Sequence, residues 1–109
     1  MKSVLIATMA AASAMIALAT ANAQAPGRSA PNLFASKCAL CHQKGGWGTR
    51  TLAKRVPPEQ AELLNRQALP ADYVKQVVRR GIGSMPQFTP TDLSDAELDR
   101  LAFWLEKRP

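Results

Sequence analysis

Apolar side chains recur at helical spacing in two segments of the second half of the chain, and each segment predicts an amphipathic helix. Across residues 71–80 the apolar residues at helical spacing are Tyr73, Val74, Val77 and Val78, which predict a single apolar stripe. We expect Tyr73 to lie in the core. Gly81 follows at the position of a helix C-cap. The second segment begins at Ser94, which forms a capping-box pattern with Glu97 three residues later. Its apolar stripe is Leu98, Leu101, Ala102 and Leu105.

The first half of the chain contains more Gly and Pro and predicts shorter helices. A helix over residues 31–41 would begin on a proline, which suits a first turn, with Ser29 or Asn32 as its cap. Glycines within residues 45–48 predict a loop, and residues 59–66 predict a short polar helix after two prolines. The sequence has no two-residue strand alternation and no internal repeat, so we expect an all-α fold with long loops.

The N-terminal residues have the composition of a secretory signal peptide. Lys2 is followed by an apolar run over residues 4–19 and then by small residues at positions 21–23. We therefore expect cleavage that removes residues 1–23. The alternative is an uncleaved membrane anchor, but the apolar run is marginal in length for a span and is diluted by polar residues. We expect no stable membrane insertion after cleavage.

The exported chain would contain a flexible leader over residues 24–30 and one small domain over residues 31–109. At this size a core made of protein alone is marginal, and small domains commonly gain stability from a disulfide, a metal or a bound group. The cysteine and histidine residues of the domain indicate a bound group.

Two cysteines separated by two residues are followed at once by the only histidine of the chain, in the sequence Cys38-Ala39-Leu40-Cys41-His42. This pattern indicates covalent attachment of one c-type haem. Each thiol adds across a vinyl group of the porphyrin, and His42 becomes an axial ligand of the iron. Residues three apart share a helix face, so Cys38 and Cys41 can reach one edge of the porphyrin.

Other roles for these cysteines fit less well. A structural zinc site needs four ligands, and the sequence has no second Cys/His pair. A thioredoxin-like redox pair needs a βαβ setting, which the pattern does not predict. A Cys38–Cys41 disulfide in an oxidising compartment stays open as an alternative fate of the thiols.

Met85 is the only methionine after the predicted signal peptide. It lies in an irregular, glycine-containing segment before Pro86, which restricts Met85 to an extended conformation. A lone methionine is most often core filler, but this position suits the distal axial ligand of the iron. Ligation by His42 and Met85 would leave no open coordination position, which argues against oxygen or peroxide chemistry and for electron transfer.

Four further side chains are candidates for secondary roles. Trp47 would donate its indole N–H to a haem propionate or pack on the porphyrin, or else be an ordinary core or loop residue. Arg50 would pair with a propionate through its planar guanidinium. Arg79 and Arg80 end a predicted helix, where cations interact favourably with the helix dipole. A propionate or partner contact is the alternative for those two.

The charge of the chain is unevenly distributed. The formal net charge is +6, and residues 28–80 contain ten Lys/Arg against three acids, whereas residues 81–109 contain three against five. One interpretation is a soluble surface with scattered charge. The other is a basic face that steers the protein to an acidic redox partner. Nucleic acid is not an expected partner of an exported chain without an aromatic–basic repeat.

With these motifs the chain resembles the class I, single-haem cytochromes c over most of residues 30–106. Besides the attachment motif, the resemblance rests on Phe34 and on residues 77–86, which look like the helix and loop that deliver the distal methionine. The C-terminal helix contributes Leu101, Trp104 and Leu105. The resemblance implies three to four helices wrapped around one covalent haem. The chain departs from the family at Ala30 and at residues 48–50, where many members have Gly and Gly-Pro.

The resemblance implies a periplasmic carrier of single electrons rather than an enzyme. The alternative within this class is a dedicated haem subunit of a flavin- or quinone-dependent dehydrogenase. Either would dock on redox partner proteins with an acidic face. A haem enzyme or gas sensor would instead need an open distal position, and a scaffold without haem would contain the Cys38–Cys41 disulfide.

Overall fold

A computed structural model describes residues 27–108, which form five α-helices joined by turns and loops. The helices are α1 (Ala30–Lys37), α2 (Ala39–His42), α3 (Trp47–Leu52), α4 (Ala71–Arg80) and α5 (Asp95–Glu106). Over this part of the chain no strand forms, although an isolated bridge pairs Ile82 with Met85. The all-α class is confirmed, but the described residues form five α-helices where three to four were expected. None of these helices is both long and apolar enough to cross a bilayer. The predicted signal peptide lies outside the described residues.

The helix expected over residues 31–41 is two helices. Cys38 has φ −120° and ψ −36°, which interrupts the helix between α1 and α2. No Gly or Pro marks this break, so the sequence pattern does not reveal it. Ser29 caps α1 as expected, because its Oγ accepts a hydrogen bond from the backbone N–H of Asn32 at 3.4 Å.

Two further predictions for the first half of the chain are wrong. Residues 45–48 do not all lie in a loop, since α3 begins at Trp47 after Gly46 adopts the extended conformation of an N-cap. The polar helix expected over residues 59–66 is replaced by two short 3₁₀ turns, Pro58–Gln60 and Leu63–Asn65. Helix α3 has 6 residues and each 3₁₀ turn has 3, and segments this short show no hydrophobic period in the sequence.

Helices α4 and α5 have the caps that the sequence predicts. Gly81 ends α4 with φ +70°, and its N–H donates to the Val77 carbonyl oxygen at 2.8 Å. A Cβ atom at this position would lie 2.7 Å from the Met85 carbonyl oxygen, so both backbone conformation and space require glycine. At α5 the Ser94 Oγ accepts from the Glu97 N–H at 3.3 Å, and the Glu97 carboxylate accepts from the Ser94 N–H at 3.1 Å.

The core lies where α1 and α4 pack against α5. Its largest fully buried side chains are Leu33, Leu93 and Leu101. Phe34 of α1 and Trp104 of α5 meet with ring centroids 6.0 Å apart and an interplanar angle of 55°, a tilted geometry that aromatic pairs favour. Helices α1 and α5, the first and last helices of the described residues, therefore pack directly against each other.

Arg79 joins the end of α4 to the start of α5. Its guanidinium donates to the carbonyl oxygens of Phe88 and Leu93 at 3.0 and 2.9 Å, and it pairs with Asp95 at 2.6 Å. Arg79 therefore does more than interact with the helix dipole, which is the role expected from the sequence. These bonds hold the segment after Met85 against the two helices, and charge-assisted bonds of this kind are stronger than neutral ones.

Candidate functional site

A cavity of about 460 Å³ lies between the residues around the Cys–His motif, helix α4 and the segment that contains Met85. Five of the predicted site residues line it: Cys38, Cys41, His42, Trp47 and Met85. Much of its wall is apolar, including Leu52, Leu69, Val74, Val77, Val78 and Leu93. The structure thus brings the residues for which the sequence predicts haem chemistry to one apolar cavity.

His42 is the last residue of α2, and the start of α3 packs on its imidazole. A Cβ atom on Gly48 would lie 3.0 Å from Cε1 and 3.2 Å from Nδ1 of His42, so glycine permits this close approach. Nδ1 is buried and has no hydrogen-bond partner among the described residues. Burial lowers the pKa of His42, which favours the neutral imidazole, the form that binds metals.

The two cysteines differ in their exposure. Cys38 is partly buried at the break between α1 and α2, whereas Cys41 is exposed, and no disulfide joins them in residues 27–108. Burial, with a smaller contribution from the charge of Cys41, raises the pKa of Cys38 to about 11. At neutral pH the Cys38 thiol therefore stays protonated in the chain alone.

Met85 closes a tight turn that follows α4. Its N–H donates to the Ile82 carbonyl oxygen at 2.9 Å, and the Ile82 N–H donates to the Met85 carbonyl oxygen at 3.1 Å. Further along, the Phe88 N–H donates to the Val78 carbonyl oxygen at 2.8 Å. The backbone around Met85 is thus bonded on both sides, which fixes where its thioether side chain begins.

Trp47 and Arg50 form one edge of this region, but they do not contribute to it equally. Trp47 lines the cavity, is 58% exposed, and donates its indole N–H to Ser84 Oγ at 3.0 Å. Arg50 is not among the residues that line the cavity; its guanidinium carbon lies 5.8 Å from the centre of the Trp47 ring, a cation–π distance. Propionate contacts by these two residues stay predictions.

Lysine, arginine and tyrosine side chains line the cavity, although the sequence did not identify them as part of the site. Lys37, Arg55 and Arg66 line the cavity, and no acidic residue is among its described lining residues. The excess of basic residues over positions 28–80 signals such cations but does not say which of them reach the site. The expectation that Tyr73 is a core residue is wrong: it is 47% exposed and lines the cavity.

The residues present fit a c-type haem. The volume is within the range of roughly 300–1,000 Å³ that is usual for cofactor pockets. A neutral imidazole and a thioether are the donor set of electron-transfer cytochromes, and the apolar wall suits a porphyrin. Two thiols are available for the vinyl groups, and three cations line the site without an opposing acid.

Comparison with known families agrees with this site. Residues 25–105 match the family model described as "Cytochrome C oxidase, cbb3-type, subunit III". The chain belongs to this cytochrome c family, and the resemblance to the class I cytochromes c is confirmed. It is accordingly an electron-transfer protein whose family binds haem, and it acts as a carrier of electrons rather than as a catalyst.

Two individual proteins resemble the chain in more detail. The 4-cresol dehydrogenase [hydroxylating] cytochrome c subunit of Pseudomonas putida is 28% identical over 97 residues, which cover 87% of this chain and 74% of that protein. A chain in the crystal structure of p-cresol methylhydroxylase with substrate bound is 27% identical, with a TM-score of 0.50. That match covers 74% of this chain and 93% of the other.

Proposed function

We propose that the protein is exported to the periplasm and transfers single electrons through one covalently attached haem. Cys38 and Cys41 would form the two thioether bonds, and His42 and Met85 would bind the iron from opposite sides. The observation that carries this proposal is that one cavity of about 460 Å³ contains all four side chains. The predicted signal peptide over residues 1–23 supports export, since haem is attached to such proteins outside the cytoplasm.

When bound, the haem supplies an iron that changes between the ferric and ferrous states. The residues of the chain determine what that iron can do. Ligation of the iron by both His42 and Met85 would leave no place for oxygen or peroxide. The apolar wall would exclude water, and exclusion of water strengthens every charge interaction inside the cavity. Both effects favour electron transfer over reactions with small molecules.

The cations of the cavity would balance the propionate groups. Arg55 and Arg66 line the cavity and are the stronger candidates for this role, whereas Arg50 reaches the region only through its contact with Trp47. An arginine binds a carboxylate through two parallel hydrogen bonds. We therefore add these two arginines to Arg50 as proposed propionate partners, since the single indole N–H of Trp47 already donates to Ser84 Oγ.

The electron would leave or enter through a dehydrogenase that binds this chain as its cytochrome subunit. The names of the relatives support this version over a freely diffusing carrier, because both belong to a cresol-oxidising enzyme and one is called its cytochrome c subunit. A freely diffusing carrier is the second candidate, and the exposed cations support it equally, since transient partners also dock by charge.

The docking surface would include two exposed apolar residues and a lysine near the haem site. Leu40, between the two cysteines, is 83% exposed, and Ile82, at the start of the Met85 turn, is 55% exposed. Lys37 precedes Cys38 and lines the cavity. A partner with an acidic rim and a small apolar patch would match this surface.

The function is tested on the mature protein purified from its own host. We expect the absorption spectrum of a c-type cytochrome, a mass increment of one haem, and co-elution with a dehydrogenase during gel filtration at moderate salt. A coloured protein that elutes alone would favour the free carrier. A colourless protein with a Cys38–Cys41 disulfide or free thiols would refute the function itself.

A charge reversal at Lys37 tests the basic docking surface without knowledge of the partner. In Lys37→Glu, we expect oxidation of the reduced protein by anionic ferricyanide to slow about two- to five-fold at low ionic strength, because the local potential becomes less positive. Oxidation by cationic tris(phenanthroline)cobalt(III) should accelerate. Both differences should disappear at high salt, where charges are screened.

The matched control is Lys107→Glu, which makes the same change of net charge at a residue outside the cavity that lies beside Glu106. Stopped-flow rates of the two variants with both oxidants give the comparison. Equal effects from the two variants would mean that only the net charge matters, and the proposed docking surface would be wrong.

A further inference from the structure

One hydrogen bond connects the segment after His42 with the turn that contains Met85. It runs from Trp47 Nε1 to Ser84 Oγ over 3.0 Å and spans 37 residues of sequence. Within residues 27–108 no other side-chain hydrogen bond links α3 to this turn. The bond therefore bridges the two parts of the chain from which the predicted iron ligands approach the cavity.

The chain is stiff on the His42 side of this bond. Trp47 is the first residue of α3, and the next residue, Gly48, is in close contact with the His42 ring. Thr49 Oγ1 donates to the Gln43 carbonyl oxygen at 2.8 Å, which ties α3 to the residue after His42. A displacement of the indole is thus coupled to a displacement of α3 against the imidazole.

The chain is equally stiff on the Met85 side. Ser84 is the third residue of the four-residue turn that Ile82 and Met85 close with two backbone hydrogen bonds. Gly83 has φ +56° at the first central position of this turn, where a type II′ turn requires a positive φ. Ser84 cannot move far without moving the neighbouring Met85 backbone.

We propose that Trp47 and Ser84 are a pair of positioning residues that hold the Met85 sulfur at the distance from His42 that iron ligation needs. This inference rests on the proposed haem site and deepens it. Trp47 lines the cavity, and the one hydrogen-bond donor of its indole is used by Ser84. The hydrogen bond gives its indole a function that depends on Ser84 as much as on Trp47.

The experiment measures how readily cyanide displaces Met85 from the ferric protein. The far-red charge-transfer absorption of sulfur-ligated ferric haem reports the methionine bond during the titration. Trp47→Phe and Ser84→Ala should each lower the Kd for cyanide about two- to ten-fold, the range for one lost hydrogen bond. The double variant should show no larger effect than either single variant, since both remove the same bond.

Two further variants control for general loosening of the fold. Ser84→Thr keeps a hydroxyl group and should restore the wild-type Kd. Ser36→Ala removes a hydroxyl that donates to the Leu33 carbonyl oxygen in α1, far along the sequence from the turn, and should leave the Kd unchanged. Far-UV circular dichroism of each variant confirms that the helices are intact.

Three outcomes would contradict the proposal in distinguishable ways. An effect of Trp47→Phe without one of Ser84→Ala would mean that the indole acts elsewhere, for example on a propionate. Additive effects in the double variant would mean that the two residues act independently. Absence of the far-red absorption in the wild-type protein would refute ligation by Met85, and the positioning role would be wrong with it.

Discussion

Replacement of Met85 by leucine is expected to lower the reduction potential of the protein by on the order of 100 mV or more. Axial ligands set haem potentials over a range of about 0.8 V, and a thioether raises the potential relative to stronger donors. Leucine has nearly the volume of methionine but no sulfur, so the packing of the turn should change little. Potentiometric titration followed by absorption spectroscopy gives the value.

The same variant should also bind carbon monoxide in the ferrous state near neutral pH, which the wild-type protein should resist. Ile82→Leu is the matched control, because Ile82 lies in the same turn, lines the cavity and is apolar. It should change the potential by much less than Met85→Leu does. An unchanged potential in Met85→Leu would show that the distal ligand is another residue or that the position is open.

Removal of both thiols, Cys38→Ala with Cys41→Ala, is expected to abolish covalent attachment and to reduce accumulation of the folded protein several-fold or more. The described domain has few fully buried large side chains and surrounds a cavity of about 460 Å³ that its own side chains do not fill. A group held there supplies the apolar contacts that a small chain lacks, and a covalent bond keeps it there even when the fold opens.

The measurements are the mass of the purified protein, extraction of haem into acidified organic solvent, and thermal unfolding. Each single variant should retain one thioether and an intermediate stability. Leu40→Ala is the control: it alters an exposed residue between the cysteines while it leaves both thiols, and it should behave as the wild type. Haem that stays bound through organic extraction of the double variant would contradict attachment at these residues.

The sequence predicts the parts of this fold whose signals are local. Helices α4 and α5 have long apolar stripes and explicit caps at Gly81 and Ser94, and the structure reproduces both. The break at Cys38 and the early start of α3 have no such signals. Cys38 leaves helical geometry with no Gly or Pro beside it, and α3 begins where Gly48 packs on the His42 ring, a contact that a hydrophobic period does not encode.

The residues of the candidate site also include some that the sequence identifies and some that it does not. Cys38, Cys41, His42 and Met85 were identified by residue type and spacing, and the structure places them on one cavity. Among the cations, Arg55 and Arg66 line the cavity without a signal in the sequence, whereas Arg50 does not line it and its propionate contact stays a prediction. Their positions follow from the irregular chain between α3 and α4, for which a sequence gives no periodic signal.

The contact between Phe34 and Trp104 has a consequence for the order in which the molecule is made. The first helix of the domain completes its packing only against the last one, so the nascent chain cannot finish folding until nearly all of it has been synthesised. A chain that ends before Asp95 would lack the four buried side chains of α5, namely Leu98, Leu101, Ala102 and Leu105. Late closure would keep the polypeptide loose enough for the proposed export, and it would leave both sulfurs accessible for the proposed attachment of haem.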